Sequence, residues 1–198
     1  MRVAIIDSGG ANIASLRFAL QRLGCQAVLT RDPDEIRSAS RVLLPGVGAA
    51  ADAMARLRAA GLDRLIPDLV QPVLGICLGM QLLFRHSEEG PADCLGVIDD
   101  EVRALDPGPD RPIPHMGWNR VRAACRCPLL DGVEDGTHFY FVHSFAAAES
   151  AATVASTTYG SPFSAAVARD NFYGTQFHPE RSGPAGAKVL ANFLGMGS

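Results

Sequence analysis

Ten residues, Pro72-Val73-Leu74-Gly75-Ile76-Cys77-Leu78-Gly79-Met80-Gln81, limit what this chain can become more than any others. Val73 to Ile76 reads as a short buried strand and Leu78 to His86 as a helix, so the backbone must pass from one to the other at Cys77. So abrupt a turn strains its central residue and tolerates only small neighbours. Gly75 and Gly79 stand two residues to either side, which is the G-x-C-x-G form of a nucleophile elbow. A side chain at such a corner stands free. The helix that follows aims its N-terminal N–H groups and positive dipole end at the sulfur, which favours the thiolate. Taken alone, Cys77 reads equally well as a core cysteine between packing glycines, because a five-residue pattern recurs by chance.

The residues before the elbow set the fold class. Val3 to Ile6 is a continuous apolar run, as a strand buried on both faces requires. After the turn from Asp7 to Asn12, a helix is predicted from Ile13 to Leu23, with Ile13, Leu16, Leu20 and Leu23 on one face and Gly24 ending it. Ala27 to Thr30 is a second strand, Pro33 to Ser38 a short helix capped by Asp32, and Val42 to Leu44 a third strand. Ala49 to Ala60 is an alanine-rich helix closed by Gly61, and Leu62 to Val70 a short one interrupted at Pro67. This β-α-β-α-β order implies an α/β fold: an open, mostly parallel sheet flanked by helices, with functional groups at the C-terminal ends of its strands.

The second half changes character. Beyond an exposed loop at Ser87 to Asp93, strands are predicted at Gly96 to Leu105, Val121 to Ala123, Thr137 to Phe145, Thr153 to Thr158, Ser164 to Arg169 and Phe172 to Phe177. Strands in succession imply antiparallel additions to the parallel core. A last helix, Pro184 to Leu194, would pack through Ala187, Leu190, Ala191 and Leu194. With 198 residues, 47 % of them hydrophobic, and no internal repeat, residues 1–198 are expected to form one domain.

A cysteine nucleophile needs a base, and the base an orienting partner. Both stand in Gly174-Thr175-Gln176-Phe177-His178-Pro179-Glu180. Strand alternation would put Gln176, His178 and Glu180 on one side, and Pro179 holds His178 extended. Singly, His178 is more often a core histidine and Glu180 a solvated strand end; with the elbow they supply the two missing roles. Upstream, Pro45-Gly46-Val47-Gly48 ends the third strand with glycines that let main-chain N–H groups turn toward a ligand. No Gly-Lys-Ser/Thr follows, which disfavours a phosphate loop.

The two motifs, Gly75 to Gln81 and Gln176 to Glu180, resemble those of the triad-type class I glutamine amidotransferases, which have a flavodoxin-like fold. Within that family Pro114-His115-Met116-Gly117-Trp118-Asn119 and Tyr140-Phe141-Val142-His143-Ser144 resemble the branch that feeds a separate (β/α)8 cyclase subunit in histidine biosynthesis. The similarity runs from Val3 to the C-terminal helix. It implies a glutaminase with catalytic Cys77, His178 and Glu180, and an oxyanion hole built from the Gly46, Val47 and Gly48 segment and Leu78. It also implies a glutamine pocket touching Gln81, His143, Ser144 and Phe145, and a heterodimer with the cyclase. The loop from His115 to Asn119 would lie near that partner and the ammonia exit, although on residue type alone Trp118 reads as core. The chain departs from the family pattern at four positions: Ser8 and Ala11 in the first turn, Phe145 in place of a tyrosine, and Arg181 in place of a lysine.

Composition narrows the rest. A net charge of −3 suggests neither nucleic acid nor an anionic membrane as partner. Five cysteines, an odd number, behind an opening strand too short and too soon acidic for a secretory leader, argue for free thiols in the cytoplasm. No apolar run approaches the roughly 18 residues of a spanning helix. His86, His115 and His138 lack ligand spacing, and Cys125-Arg126-Cys127 reads as a polar turn, so no metal and no other cofactor are expected. A cyclase barrel of roughly 250 residues cannot also fit. Three alternatives stay open: a glutaminase subunit of another synthase such as anthranilate synthase, a non-catalytic regulatory module of the same fold, and a cysteine peptidase.

Overall fold

The computed structural model describes residues 2–9, 13–109 and 111–197; Gly10 to Asn12 of the first turn, Ala11 among them, lie outside the described residues. The first half runs β1 (Val3–Ile6), α1 (Ile13–Arg22), β2 (Ala27–Thr30), α2 (Pro33–Ser38), β3 (Arg41–Gly46), α3 (Ala50–Ala59), α4 (Leu62–Leu65), β4 (Val73–Cys77) and α5 (Leu78–Gln81). The second half runs β5 (Phe84–Ser87), β6 (Ala92–Asp93), β7 (Ile98–Ala104), β8 (His115–Arg120), β9 (Arg122–Ala123), β10 (His138–His143), β11 (Phe145–Ala147), β12 (Thr153–Tyr159), β13 (Ser161–Arg169), β14 (Phe172–Thr175) and α6 (Gly183–Gly195).

Among the described residues the main sheet has the order β2-β1-β3-β4-β14-β13-β12-β9. Strands β2, β1, β3, β4 and β14 are parallel, and β13, β12 and β9 extend them antiparallel. The pairs β10-β8 and the set β11-β7-β5-β6 form two smaller sheets. The continuous apolar strands have a direct cause. Ala4, Ile6, Val42, Leu44 and Val73 pack on one side with α2, α3 and α4, while Val3, Ile5, Leu43, Leu74 and Ile76 pack on the other with α1 and α6. Successive side chains alternate between two cores, so no position on a central strand is free to be polar. Asp32 caps α2 through its carboxylate, which accepts from the N–H groups of Asp34 and Glu35.

Four local expectations need correction. The elbow helix is a single turn ending at Gln81, not a helix to His86. Leu82, Leu83 and Phe84 are all fully buried, which one stripe of a helix cannot achieve with consecutive residues; the chain turns through Leu82 and Leu83, whose carbonyls accept from the Leu95 and Ile98 N–H groups, and is extended from Phe84. His115 to Asn119 is strand, not loop, paired with β10, and Trp118 is 57 % exposed rather than core because this two-stranded sheet covers only one of its faces. Helix α6 packs through Gly186, Val189, Leu190, Phe193 and Leu194; the larger Val189 and Phe193 take the core and turn Ala191 outward. Gly186 lets the helix approach Pro179, whose carbonyl oxygen would lie 1.9 Å from an added Cβ. Finally, β14 stops at Thr175, and Pro179–Arg181 is a 3₁₀ turn, so strand alternation is not what aligns His178 with Glu180.

Candidate active site

The site lies where the parallel strands end. Cys77 closes β4; Gly46, its register partner, closes β3; Thr175, opposite Ile76, closes β14 on the other side. Cys77 has φ 54° and ψ −111°, a strained region for a residue with a Cβ, and the surroundings hold it there. A Cβ on Gly75 would lie 2.5 Å from the Gly79 carbonyl oxygen, and one on Gly79 would lie 1.6 Å from that of Leu44. The two glycines let β4, the elbow and β3 nest backbone against backbone.

A cleft of about 460 Å³ opens over the sulfur, lined by Val47, Gly48, Leu78, Gln81, His143, Ser144, Phe145 and His178 among the predicted residues. Glu180 stands behind His178, its carboxylate accepting from Nδ1 at 2.8 Å, with both side chains almost fully buried. Gly46 lies beneath the elbow, against Leu78 and Gly79, and borders a small adjoining cavity with His178 and Glu180 rather than the cleft itself. His178 comes to the site without regular strand geometry. Its N–H donates to the Tyr140 carbonyl at 2.9 Å, and its own carbonyl accepts from the Ser182 hydroxyl at 2.7 Å. Ser182 also accepts the Tyr140 N–H at 3.0 Å, so it braces the base against β10 instead of capping α6.

The charge state of His178 follows from its neighbours. Burial opposes the charged ring, but hydrogen bonds to Cys77 and Glu180 and the negative charge of both outweigh it, pushing the pKa up from 6.5 to about 10. At neutral pH the raised value keeps the imidazole protonated. A raised folded-state value confers stability that is complete below about pH 6.5 and disappears as pH rises through about 10. Glu180→Gln, which removes one source of that rise, is therefore expected to lower the melting temperature most near pH 6.5. The gap from wild type should close by about pH 10, as read by thermal unfolding across that range.

The opposite wall carries a second, neutral histidine pair. Burial pushes His143 down to about 3 and His115 down to about 4. His143 Nδ1 donates to the Phe145 carbonyl at 2.8 Å, so its Nε2, 3.0 Å from His115 Nδ1, must accept. His115 Nε2 in turn lies 3.3 Å from the Asn119 side-chain amide, which donates. His143 is thus a packed histidine that orients the backbone at Phe145, within an aromatic cluster with Phe141 and Phe163.

Three residues of the site escaped the sequence. Glu89, in the segment read as an exposed loop, lines the cleft, and desolvation raises its pKa despite a hydrogen bond from the Ala50 backbone. Ser182, just before the last helix, bears no motif of its own. Gln176, expected beside His178, instead reaches the sulfur: its Nε2 lies 3.7 Å from Cys77 Sγ and its Oε1 accepts from Gln81 at 2.9 Å. Only the spacing to His178 could have flagged Gln176; nothing local marks the other two. At the rim, Arg181 stacks over the Tyr140 ring at 4.5 Å, beside the exposed Met116 and Trp118.

Cys77 and His178 line one cleft with Glu180 bonded behind the ring, and a thiol, an imidazole and a carboxylate in that order are residue types suited to acyl transfer. Comparison with known proteins agrees. A family model, glutamine amidotransferase class-I, matches residues 4–196. The chain is 53 % identical over 198 residues to the imidazole glycerol phosphate synthase subunit HisH of Escherichia coli (strain K12), covering 99 % of this chain and 100 % of that protein. It is 49 % identical over 199 residues to the subunit of the same name from Vibrio parahaemolyticus, covering 98 % and 97 %. Among solved structures, a glutamine amidotransferase from Thermotoga maritima superposes with a TM-score of 0.70 at 16 % identity over 98 % of this chain and 96 % of that one. A further glutamine amidotransferase gives 0.75 at 18 % identity over 97 % and 96 %. The strained cysteine, its buried histidine–glutamate pair and a family match over nearly the whole length lead to one conclusion: the chain belongs to the class-I glutamine amidotransferases.

Proposed function

We propose that the chain is the glutaminase subunit of imidazole glycerol phosphate synthase, hydrolysing glutamine to glutamate and passing ammonia to a cyclase subunit in a heterodimer. The observation that carries this reading is the meeting of Cys77 and His178 at one cleft, with Glu180 bonded behind the ring, in a chain about half identical to two such subunits. The Cys77 thiolate attacks the side-chain amide carbon of glutamine. The oxyanion forms beside the elbow, where N–H groups of Leu78 and of the Gly46–Gly48 segment are the available donors. His178, already protonated, gives its proton to the departing nitrogen, and ammonia leaves behind a thioester. Water then attacks the thioester, His178 takes up a proton from it, and glutamate leaves as the thiolate returns. Glu180 holds the ring tautomer and steadies the imidazolium throughout. The raised pKa of His178 suits the ring to give a proton to the departing nitrogen.

Glu89 is the carboxylate that lines the cleft itself, and it is suited to receive the α-ammonium of glutamine, while main-chain groups around His143 and Ser144 face the rest of its head group. Glu89→Gln is expected to raise KM for glutamine roughly 10- to 100-fold with a smaller change in kcat, measured as glutamate release. Met116, Trp118, Tyr140 and Arg181 form a partly apolar rim suited to the cyclase. Among the described residues no helix is long and apolar enough to cross a membrane, and a cytoplasmic location accompanies this reading. The test is glutamate release by the chain alone, with the cyclase, and with the cyclase and its nucleotide. Stimulation by the complex supports the assignment, and no release in any of the three overturns it.

A further inference from the structure

The elbow helix was expected to stabilise the thiolate through its dipole, yet α5 is one turn of four residues, too short for a substantial macrodipole. A different donor stands at the sulfur. Gln176 is fully buried, its backbone N–H satisfied by the Ala165 carbonyl at 2.9 Å, and its side chain spans from Gln81 to Cys77. The orientation of its amide is decided by chemistry. The Phe145 carbonyl can only accept, and it receives Gln81 Nε2 at 2.9 Å and His143 Nδ1 at 2.8 Å. Gln81 must therefore turn its amino group toward Phe145, and the same nitrogen donates to Gln176 Oε1. That leaves Gln176 Nε2 facing the sulfur at 3.7 Å. Reversing both amides would set oxygen against carbonyl oxygen at Phe145.

We propose that Gln176 is a catalytic residue of this site, donating a side-chain N–H to Cys77 Sγ and so favouring the thiolate, with Gln81 and the Phe145 carbonyl fixing the direction of its amide. The inference rests on the reading of Cys77 as nucleophile and adds a group to it. A thiol can donate to the Val142 carbonyl, which lies 3.7 Å from the sulfur; a thiolate cannot, so that contact favours the neutral form. Gln176 acts in the opposite sense, since its N–H bonds an anionic sulfur more strongly than a neutral one. Among the described residues, the other titratable groups lining the cleft that holds the sulfur are His178, backed by Glu180, and Glu89, His143 and Arg181. Unlike the donors proposed for the oxyanion, Gln176 acts on the attacking atom and is in place before glutamine arrives.

The test is the pH dependence of iodoacetamide alkylation at Cys77 in the full chain, followed by mass spectrometry of the Cys77 peptide, with the exposed Cys125 as internal reference. Gln176→Met keeps the length and apolar bulk and removes the N–H. Its Cys77 alkylation is expected to slow about tenfold at neutral pH, with the midpoint of the profile rising by about one pH unit. Gln176→Glu keeps an acceptor for Gln81 and turns an oxygen toward the sulfur, and it should shift the profile at least as far. It also serves as the second variant if Gln176→Met does not fold. Gln81→Met, which leaves Gln176 in place but frees its amide to turn, should shift the profile in the same direction by less. A profile unchanged from wild type in either folded Gln176 variant overturns the proposal. Failure of the glutaminase reading is seen separately, as absence of glutamate release by the wild type with its cyclase, and needs no alkylation measurement.

Discussion

Cys77→Ala is expected to abolish glutamine-dependent synthesis by the complex while leaving synthesis from added ammonia intact. Removing a nucleophile that forms a covalent intermediate takes away the whole pathway through the thioester, and losses on the order of 10⁶-fold are typical of such substitutions. Cys77 is 7 % exposed and its strained backbone is imposed by Gly75 and Gly79 rather than by its own side chain. Alanine should accept that conformation about as well as cysteine does, so the fold survives and the comparison stays clean. Ammonia supplied from solution bypasses this subunit altogether. Measuring product formation from glutamine and from ammonium salt in the same preparation checks the division of labour. Loss of both activities in a complex that still assembles would contradict it.

Gly79→Ala is the substitution expected to damage the fold most per atom added. One methyl carbon would sit 1.6 Å from the Leu44 carbonyl oxygen, a backbone atom in the centre of the sheet that cannot swing aside as a flexible side chain can. Either β3 separates from the elbow or the elbow loses its geometry, and a cost of about 3 kcal/mol or more follows, at the upper end of overpacking effects. Gly24→Ala is the control. Gly24, unlike Gly79, has a positive φ, 74°, and nothing lies within 4 Å of its would-be Cβ, so only left-handed strain of roughly 1–2 kcal/mol applies. Urea unfolding of both variants checks the contrast: Gly79→Ala should lose most of its transition, Gly24→Ala should shift modestly. Equal shifts would mean that the close approach at Gly79 is relieved without cost.

Much of the parallel half was legible because its signals are local. Uninterrupted apolar strands, Asp32 ahead of Pro33, and glycines after α1 and α3 each act within a few residues, and the structure bears them out. The misreadings share another origin. Leu82 to Phe84 read as helix because an apolar run carries no period of its own, and only pairing with β7 makes the chain extended from Phe84 onward. Trp118 read as core because tryptophan usually is, yet β8 lies in a two-stranded sheet with an open face. His178 and Glu180 were brought together in expectation by alternation along a strand, whereas a 3₁₀ turn braced by Ser182 accomplishes it.

The chain's order of residues determined by itself the layered α/β architecture and named Cys77, His178 and Glu180 as candidates for nucleophile, base and orienter, because strand burial, turn sterics and the demands of acyl transfer restrict residue types within short windows. Only the tertiary structure decided what surrounds them: Glu89 in the cleft wall, Ser182 behind the base, and the amide of Gln176 turned toward the sulfur. Those roles depend on distances between segments as much as 99 residues apart, and on which way a hydrogen-bond donor points. Both are properties of the closed fold, since a glutamine is written the same way in the sequence whichever end of its amide meets its neighbour.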